Sequence, residues 1–586
     1  MSTKNMAESL LAERDVDCRA YEAMGCHSVT YSDEHGCIQE IYRFRVWAPR
    51  ATAVYVTGDF NGWSNASPMH RVGEEGIWTA EIDRGAFSSR GLYKYRIVTQ
   101  NGEFLKADPY SIAFEMPPAT ASCAELLPDY PWRDGGWLRH RSRIKNNGAD
   151  GPLTVYEVHL GSWKRSEKGG VLSYCDIASE LACYVKQMGY THVKLLPITE
   201  HPSDDSMGYG VSGYYAPTAR YGKPKDLMGF VDTMHEAGIG VILDWVPTHF
   251  SRDAQTLCEF DGEPLYESGD SSGSLLRFDI SRREVLSFLL SNLSFWVEKY
   301  HIEGFFLCDV DDPCFLEMVR EQMRRSYADV LLLSECSHEN FLWIKKESTE
   351  HLLSYLAFEP VYRKYHCDLL EAACTSAKNQ SVFRFPRVSA LIDTVPGDEW
   401  QRFATARAAY GYVIACTDQL IFPMGEELGQ PICKNGSEQL DWELLNRDQN
   451  ARLQLFFASV NQFLLAHSAF YRPDSLYSME VKEGVLVGCR TNSNGDTLLS
   501  LINFAPDVYH EYELAVPSAG EYEEIFNSDD LSFGGSGVKN GTVLSADNSG
   551  DPQLRIAVPP LAVCVFRQKN TASSKTRPPL FSHDSI

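Results

Sequence analysis

Hydrophobic and polar positions alternate in short runs through the first part of the chain, after a polar start. Period-two alternation over 42–58 and again over 93–98 predicts β-strands, and turn residues separate these runs. Short strands with frequent turns are typical of a small β-sandwich. We therefore expect a β-sandwich over 42–128, preceded by a polar leader over 1–41.

From about residue 150 the pattern changes to short apolar runs that alternate with amphipathic helical patterns. The apolar runs fit buried parallel strands, and they lie at 153–160, 192–198, 241–246, 305–310, 330–334 and 419–422. Helical patterns lie between them, for example over 175–188, 226–237 and 283–299. This alternation predicts a (β/α)8 barrel over 150–468, in which polar residues at the carboxyl ends of the strands build an active site.

Alternating strands return after the barrel. Runs at 485–489, 497–503, 509–516 and 562–567 predict a C-terminal all-β sandwich over 469–568. The remaining stretch, 569–586, is rich in Ser, Lys and Pro, and we expect it to be a disordered tail.

Composition narrows the classes of function. The 586 residues include 54 Lys plus Arg and 79 Asp plus Glu, so the formal net charge is −25. Binders of nucleic acid or anionic membranes need a basic surface, so we expect neither partner. The polar start predicts no secretory signal, and the sequence has no run of about 18 apolar residues and no C-x-x-C pair. We expect a cytoplasmic protein with reduced thiols and no metal site.

Polar residues with possible chemistry stand at the predicted strand ends. Asp244 and His249 follow the third apolar run and could bind sugar hydroxyls, and Glu335 follows the fifth run and could act as a general acid. Tyr209 lies in a Tyr-rich segment that offers ring faces for stacking on sugars. Each residue alone also has a structural interpretation: a helix cap, a solvated carboxylate or a packed ring.

Motifs along most of the chain strengthen the functional interpretation. They resemble motifs of the 1,4-α-glucan (glycogen) branching enzymes, which belong to the α-amylase superfamily (glycoside hydrolase family 13). The motifs lie at 44–49, 58–63, 155–163, 195–202, 238–247, 396–398, 424–430, 534–537 and 559–562.

This resemblance implies a fold, a substrate and a reaction. The N-terminal sandwich would be a glucan-binding module, and the barrel would cut an α-1,4 bond and transfer the segment to a 6-hydroxyl, without metal or cofactor. The resemblance gives Asp244, His249 and Tyr209 substrate-binding roles and Glu335 the acid/base role. A nucleophilic Asp would lie about 5–5.5 Å from that acid in a retaining mechanism.

The fourth-strand motif departs from the family pattern G-L-R-V-D-A-V, whose Arg and Asp share one face. Here the segment 304–310 reads G-F-F-L-C-D-V, so Phe306 replaces the Arg and Cys308 replaces the nucleophile. The neighbouring Asp309 should face the other way, unless a one-residue bulge turns it into the site. Cys308 as a thiolate is a further alternative, although no cation beside it in sequence would aid its deprotonation.

The last catalytic motif of the family, S-H-D-E, is also missing. The corresponding segment, 383–396, has no His-Asp pair. Residues that act as a unit each cost up to about 10⁶ in turnover when removed. The first hypothesis is therefore a catalytically impaired protein that binds α-1,4-glucan, in the company of glycogen-metabolism enzymes.

Two other hypotheses stay open, so the sequence leaves open whether the protein is an enzyme. The second is an active branching enzyme that uses a displaced carboxylate such as Asp309. The third is a new ligand in the changed cleft, where Arg384 and Arg387 would suit a phosphorylated sugar.

Overall fold

The computed structural model describes most of the chain. The described residues are 16–32, 38–87, 91–146, 151–269, 273–335, 342–343, 347–377, 383–384, 388–416, 419–430, 438–471, 476–541, 544–546 and 552–569. The predicted tail, apart from Lys569, and residues 1–15 of the predicted leader lie outside these ranges.

The chain divides into two compact units. The first comprises Met1–Lys346, Gln380–Arg387 and Gln419–Leu444. The second comprises Glu347–Asn379, Val388–Asp418 and Leu445–Ile586.

The first unit begins with a β-sandwich of two antiparallel sheets. Its strands are β1 (Gly25–Ser32), β2 (Ile38–Trp47), β3 (Ala53–Gly58), β4 (His70–Val72), β5 (Ile77–Asp83), β6 (Leu92–Thr99), β7 (Gly102–Lys106) and β8 (Ser122–Cys123). One sheet has the order β1-β2-β5-β4, and the other has β3-β6-β7 with β8 beside β6. Alternate side chains from both sheets, such as Phe44 and Tyr95, are fully buried between them.

The sandwich begins earlier than the sequence pattern predicts. Strand β1 lies within the predicted leader over 1–41, and it pairs antiparallel with β2 along its whole length. Most of its side chains are exposed or half-buried. An edge strand of this kind lacks the hydrophobic alternation that reveals a strand in a sequence.

A (β/α)8 barrel follows in the first unit. The strands of this region are β9 (Leu153–Val158), β10 (His192–Leu195), β11 (Thr199–Glu200), β12 (Gly213–Pro217), β13 (Gly240–Trp245), β14 (His249–Ser251), β15 (Leu275–Arg277), β16 (Gly304–Leu307), β17 (Leu331–Ser334), β18 (Leu342–Trp343), β19 (Phe383–Arg384) and β20 (Gln419–Pro423). Eight of them form one parallel sheet in the order β18-β17-β16-β13-β10-β9-β20-β19. Neighbours in this order pair in parallel, and the last strand along the chain, β20, pairs with the first, β9, as the circular order of the predicted barrel requires. The two ends of the order are β18 and β19, which are also consecutive along the chain.

Helices separate the barrel strands and continue into the second unit. They are α1 (Gly135–Asn146), α2 (Leu160–Trp163), α3 (Tyr174–Gln187), α4 (Pro224–Glu236), α5 (Arg283–Tyr300), α6 (Pro313–Ser326), α7 (Glu347–Leu356), α8 (Cys367–Ala377), α9 (Val388–Thr394), α10 (Glu399–Cys416) and α11 (Asp448–Ala466). The predicted helices over 175–188, 226–237 and 283–299 are confirmed within two residues at each end. None of the helices in the described ranges combines the length and hydropathy that a membrane crossing needs.

The second unit ends in a C-terminal all-β sandwich. Its strands are β21 (Leu476–Lys482), β22 (Val485–Thr491), β23 (Thr497–Asn503), β24 (Tyr509–Ala515), β25 (Gly520–Asn527), β26 (Leu544–Ala546), β27 (Gln553–Val558) and β28 (Ala562–Gln568). Six of them form a sheet, and β24 pairs with β27. Inward side chains of both sheets, among them Leu501, Leu514 and Phe566, pack into one core.

Candidate functional site

A buried charged layer crosses the inside of the barrel. Glu157 of β9 lies beside Lys194 of β10, and Asp244 of β13 lies beside Phe306 of β16, because these parallel strands pair in that register. The Lys194 ammonium forms ion pairs with Asp244 and with Glu157, at 2.9 Å from Glu157 Oε2. The same Nζ lies 4.4 Å from the centroid of the Phe306 ring. One cation is therefore shared by two carboxylates and covered by an aromatic ring.

Asp244 is held from two sides. One of its oxygens pairs with Lys194, and the other accepts a hydrogen bond of 2.6 Å from Tyr209 Oη. Burial raises the pKa of Asp244, and the Lys194 charge opposes that rise. Burial and the Asp244 charge raise the pKa of Tyr209, so the phenol stays a neutral donor. Tyr209 and Asp244, which the sequence predicts to bind sugar, are thus hydrogen-bonded to each other.

A polar cavity lies at the carboxyl ends of the barrel strands. It has a volume of about 390 Å³. Its lining consists of Thr248, His249, Arg277, Asp309, Val310, Asp311 and Glu335. Three residues that the sequence singled out, His249, Asp309 and Glu335, therefore meet in one place, as the barrel rule predicts for strand-end residues.

His249 is a neutral member of this cavity. Burial lowers its pKa and the nearby Arg277 lowers it further, while the Asp309 charge acts in the opposite direction. Its Nδ1 lies 3.0 Å from Thr248 Oγ1. The imidazole can thus donate or accept a hydrogen bond but carries no charge near neutral pH.

Asp309 departs from the sequence expectation. Period-two alternation places it on the face away from the cleft, but its exposed side chain lines the cavity together with Glu335. Strand β16 ends at Leu307, so the alternation does not extend to Asp309. The φ of 54° at Asp309 turns the chain there, in a left-handed conformation that Asp tolerates better than most residues.

Cys308 occupies the inward position that follows Phe306 by two residues, and it is 5% exposed. Burial raises the pKa of its thiol well above the usual value, the Asp244 carboxylate adds to the rise, and Lys194 opposes it. Since the thiolate is the nucleophilic form, this thiol is inert at neutral pH. The sequence-based alternative of a thiolate nucleophile is therefore not supported by the electrostatics of the site.

Several features of the site escaped the sequence analysis. Lys194 and Glu157 lie within strands and have no strand-end signal. Arg277 joins the cavity only because β15 pairs with β14 in a register that places it beside His249. In the described ranges, no group of three or more His, Cys, Asp or Glu side chains is arranged to hold a metal ion. Arg387 and the side chain of Arg384, the candidates for a phosphate site, lie outside the described residues.

Three protein-family models match the chain. They are carbohydrate-binding module 48 (isoamylase N-terminal domain) at residues 24–111, the alpha amylase catalytic domain at 159–262, and the alpha amylase C-terminal all-beta domain at 479–569. Solved structures share the fold. A pullulanase complexed with maltotetraose from Anoxybacillus sp. LM18-11 matches with a TM-score of 0.71 and 16% identity, over 95% of this chain and 89% of that one. The pullulanase from Bacillus acidopullulyticus matches with a TM-score of 0.69 and 16% identity, over 93% and 75%.

The module, the barrel and the C-terminal sandwich together define a protein of the α-amylase type. Two similar proteins identify the family within this class. The 1,4-alpha-glucan branching enzyme GlgB of Halothermothrix orenii is 36% identical over 94% of this chain and 97% of its own length. The enzyme of the same name from Bacillus subtilis is 35% identical over 94% and 95%. The chain belongs to the 1,4-alpha-glucan branching enzyme family.

Proposed function

We propose that this protein binds α-1,4-glucan and has lost most or all of the branching activity of its family. The observation that carries the proposal is the inward face of the fourth barrel strand. Phe306 stands there and Cys308 directly follows the strand, at the positions where the family pattern has an Arg and a nucleophilic Asp. A buried thiol with a raised pKa cannot form the covalent intermediate of a retaining mechanism.

The buried layer below the cavity supports the same conclusion. The charge of Lys194 is committed to Glu157 and Asp244, so it cannot stabilise a separate nucleophile. Asp244 in turn is bonded to Tyr209. The two groups that we expect to bind a sugar ring are thus hydrogen-bonded to each other.

Glucan binding is supported by the family and by the N-terminal module. The names of the relatives specify a 1,4-α-glucan, and the model of a carbohydrate-binding module matches residues 24–111. The cavity retains Glu335 and His249, which can hydrogen-bond to sugar hydroxyls. We expect a partner that is neutral in charge, as the acidic composition of the chain also indicates.

The proposal includes the cytoplasm as the place of action, beside other enzymes of glycogen metabolism. The cysteines whose side chains the structure describes carry free thiols, although several are exposed or half-buried. Free exposed thiols suit a reducing compartment. Cell fractionation with a tagged full-length chain would test this part, and recovery from the culture medium or periplasm would contradict it.

The central test compares the protein with a Glu335→Gln variant and with an active relative, the Bacillus subtilis branching enzyme, on amylose. Iodine absorbance and the chain profile after debranching measure new α-1,6 branches. We expect none from this protein or its variant, but retardation of both in a native gel that contains glycogen. Branches that disappear in the variant would overturn the proposed loss of catalysis, and absence of retardation would overturn the proposed binding.

One observation favours a second candidate function, an active branching enzyme. Asp309 and Glu335 line the same cavity, so a displaced nucleophile and the acid share one space. If the amylose assay detects branching, an Asp309→Asn variant tests whether Asp309 is the nucleophile. Complete loss in that variant, with Asp311→Asn still active, would assign the nucleophile to Asp309.

A further inference from the structure

A segment of the first unit, residues 252–268, lies along the chain between two residues of the strand-end cavity. It follows β14, which carries His249, and leads towards β15, which carries Arg277, and these two residues are partners in the antiparallel pair. Both line the cavity. The end of the segment returns to this pair, because Ser268 N donates to Arg277 O at 2.9 Å. The position of the 252–268 segment therefore bears on both cavity residues.

The N-terminal module, the part of the chain over 24–111, holds this segment with a buried lysine. Lys106, the last residue of β7, is 2% exposed. Its ammonium donates to Ala254 O at 2.6 Å and to Cys258 O at 2.5 Å. A lysine is rarely buried unless its charge is bonded, and hydrogen bonds from a charged donor are the stronger kind. Lys106 thus fixes the backbone of the segment at two points.

A second cation of the module holds the far part of the segment. Arg50 donates to the Asp261 carboxylate from its backbone N–H at 3.0 Å and from Nε at 2.9 Å. Its guanidinium also donates to Glu263 O at 3.0 Å and to Pro264 O at 3.1 Å. The Asp261 side chain is fully buried, so this contact belongs to the interior of the first unit.

Two further contacts close the junction between module and segment. Lys94 of β6, which is 5% exposed, donates to Gln255 Oε1 at 2.5 Å. Gly262 has a φ of 88°, and a Cβ added there would lie 2.7 Å from the ring of Phe104 in β7. The two parts are therefore in direct contact from Ala254 to Pro264. Since packed protein interiors have low compressibility, a shift of one part is transmitted to the other.

We propose that the N-terminal module controls the strand-end cavity through the 252–268 segment, with Lys106 and Arg50 as positioning residues. Their bonds to the segment keep Arg277 beside His249, and so set the polar groups that the cavity offers to a ligand. By linkage, a ligand that prefers this arrangement also strengthens the contact between module and segment. The inference rests on the proposed glucan binding for the identity of that ligand.

His249 can report on this coupling. Burial lowers its pKa, the Asp309 carboxylate opposes this change, and the Arg277 charge adds to it. If the segment leaves the module and moves Arg277, the pKa of His249 rises towards 6.5. NMR of the full-length protein with labelled histidines measures this pKa, and the signal is assigned from its absence in His249→Gln. Titration of the same signal with maltoheptaose measures binding at this cavity rather than elsewhere on the protein.

Two variants disturb the contact from opposite sides. Lys106→Met removes the cation of the module, and Gly262→Ala places a methyl group against the Phe104 ring. We expect each to raise the pKa of His249 and to weaken maltoheptaose binding at the cavity by roughly two- to thirtyfold, the range that mutations along a coupling network produce. Gly262→Ala leaves every module residue unchanged, so it decides alone if Lys106→Met does not fold.

Two controls separate positioning from loss of stability. Phe44→Leu reduces a fully buried side chain in the core of the module. Gly73→Ala introduces similar backbone strain, at a φ of 64°, but its Cβ meets no atom within 4 Å. We expect neither control to change the pKa of His249 or the affinity for maltoheptaose.

The outcomes distinguish this inference from the proposed function. An unchanged His249 pKa in both Lys106→Met and Gly262→Ala, or equal changes in the controls, would overturn control of the cavity by the module and leave the proposed function intact. If maltoheptaose does not move the His249 signal of the unmodified protein, the proposed glucan binding at the cavity fails, whereas the pKa comparison still decides on the role of the module.

Discussion

The Lys194 ammonium lies over the ring of Phe306, 4.4 Å from its centroid, inside the barrel. Phe306 stands at the position where the sequence analysis expects the Arg of the family pattern. The positive charge of this layer comes from Lys194 of the second barrel strand, and it is paired with Glu157 and Asp244.

Removal of this charge should destabilise the protein strongly. In Lys194→Met, Glu157 and Asp244 lose their shared cation within a buried layer. Breaking a buried ion pair by removing one partner typically costs about 3–5 kcal/mol, because the remaining charge is left uncompensated. We expect a loss of that size in the free energy of unfolding, measured by denaturant titration at pH 7.

A matched control tests whether the expected loss of stability depends on the burial of the Lys194 ion pairs. Lys164→Met removes a cation from an ion pair whose side chains are 40% and 50% exposed. We expect Lys164→Met to lower the free energy of unfolding by no more than about 1 kcal/mol, since exposed ion pairs contribute little to stability. If the two variants lose equal stability, the Lys194 layer is not the buried network described here. Adding Phe306→Arg to Lys194→Met should restore part of the loss, because it returns one cation to the layer.

If the protein has lost catalysis as proposed, replacing Cys308 with a carboxylate should not restore branching. Cys308→Asp supplies a carboxylate, but Phe306 leaves it without the Arg of the family pattern, and Asp244 and Glu335 raise the electrostatic cost of a further charge. We expect no measurable branching of amylose and a lower free energy of unfolding than in Cys308→Ser, which stays neutral. Strong branching from this single change would contradict the prediction that the last catalytic motif of the family is missing.

Much of the fold could be predicted from the sequence because buried parallel strands are short apolar runs. The run at 241–246 corresponds to β13 (Gly240–Trp245), and the run at 419–422 to β20 (Gln419–Pro423). Strand β1 was missed, since its side chains are largely solvent-exposed and carry no strong pattern.

The candidate site was predicted in part. His249 and Glu335 could be predicted because barrel strands deliver their end residues to one face. Lys194 could not, because its role depends on the register of three neighbouring strands. The face on which the Asp309 side chain lies depends on where strand β16 ends, and the alternation of the sequence does not predict the end of that strand.

The bond between Tyr209 and Asp244 should contribute to stability. In Tyr209→Phe the ring remains and the 2.6 Å hydrogen bond to the buried carboxylate is lost. A hydrogen bond to a charged group contributes about 1.5–3 kcal/mol. We expect a decrease of that size in the free energy of unfolding. Tyr300→Phe is the control, because the buried Tyr300 hydroxyl has no partner among the described residues. Removal of the Tyr300 hydroxyl should leave the free energy of unfolding unchanged or raise it slightly. An equal decrease in both variants would contradict the stabilising role of the Tyr209–Asp244 hydrogen bond.

The final prediction concerns a buried histidine below the barrel strands. His235 of α4 lies 2.7 Å from Glu303, which directly precedes β16, and 3.1 Å from Asp134. Burial disfavours the charged imidazole, but these carboxylates outweigh it and raise the His235 pKa to about 9. For Asp134, burial opposes ionisation, but hydrogen bonds from His235 and His301 hold its pKa below the usual range.

These shifts set a pH window for stability. A raised histidine pKa stabilises the fold fully below pH 6.5, the ordinary histidine value, and this contribution is lost as the pH rises towards 9. The rise from 6.5 to about 9 corresponds to roughly 3 kcal/mol. The lowered pKa of Asp134 acts at the other end, so its contribution is lost as the pH falls below about 4. We expect the free energy of unfolding to decrease between pH 6.5 and 9, and His235→Gln to flatten that decrease. The exposed His70→Gln should leave the pH profile unchanged, and an unaltered slope in His235→Gln would show that another group is responsible.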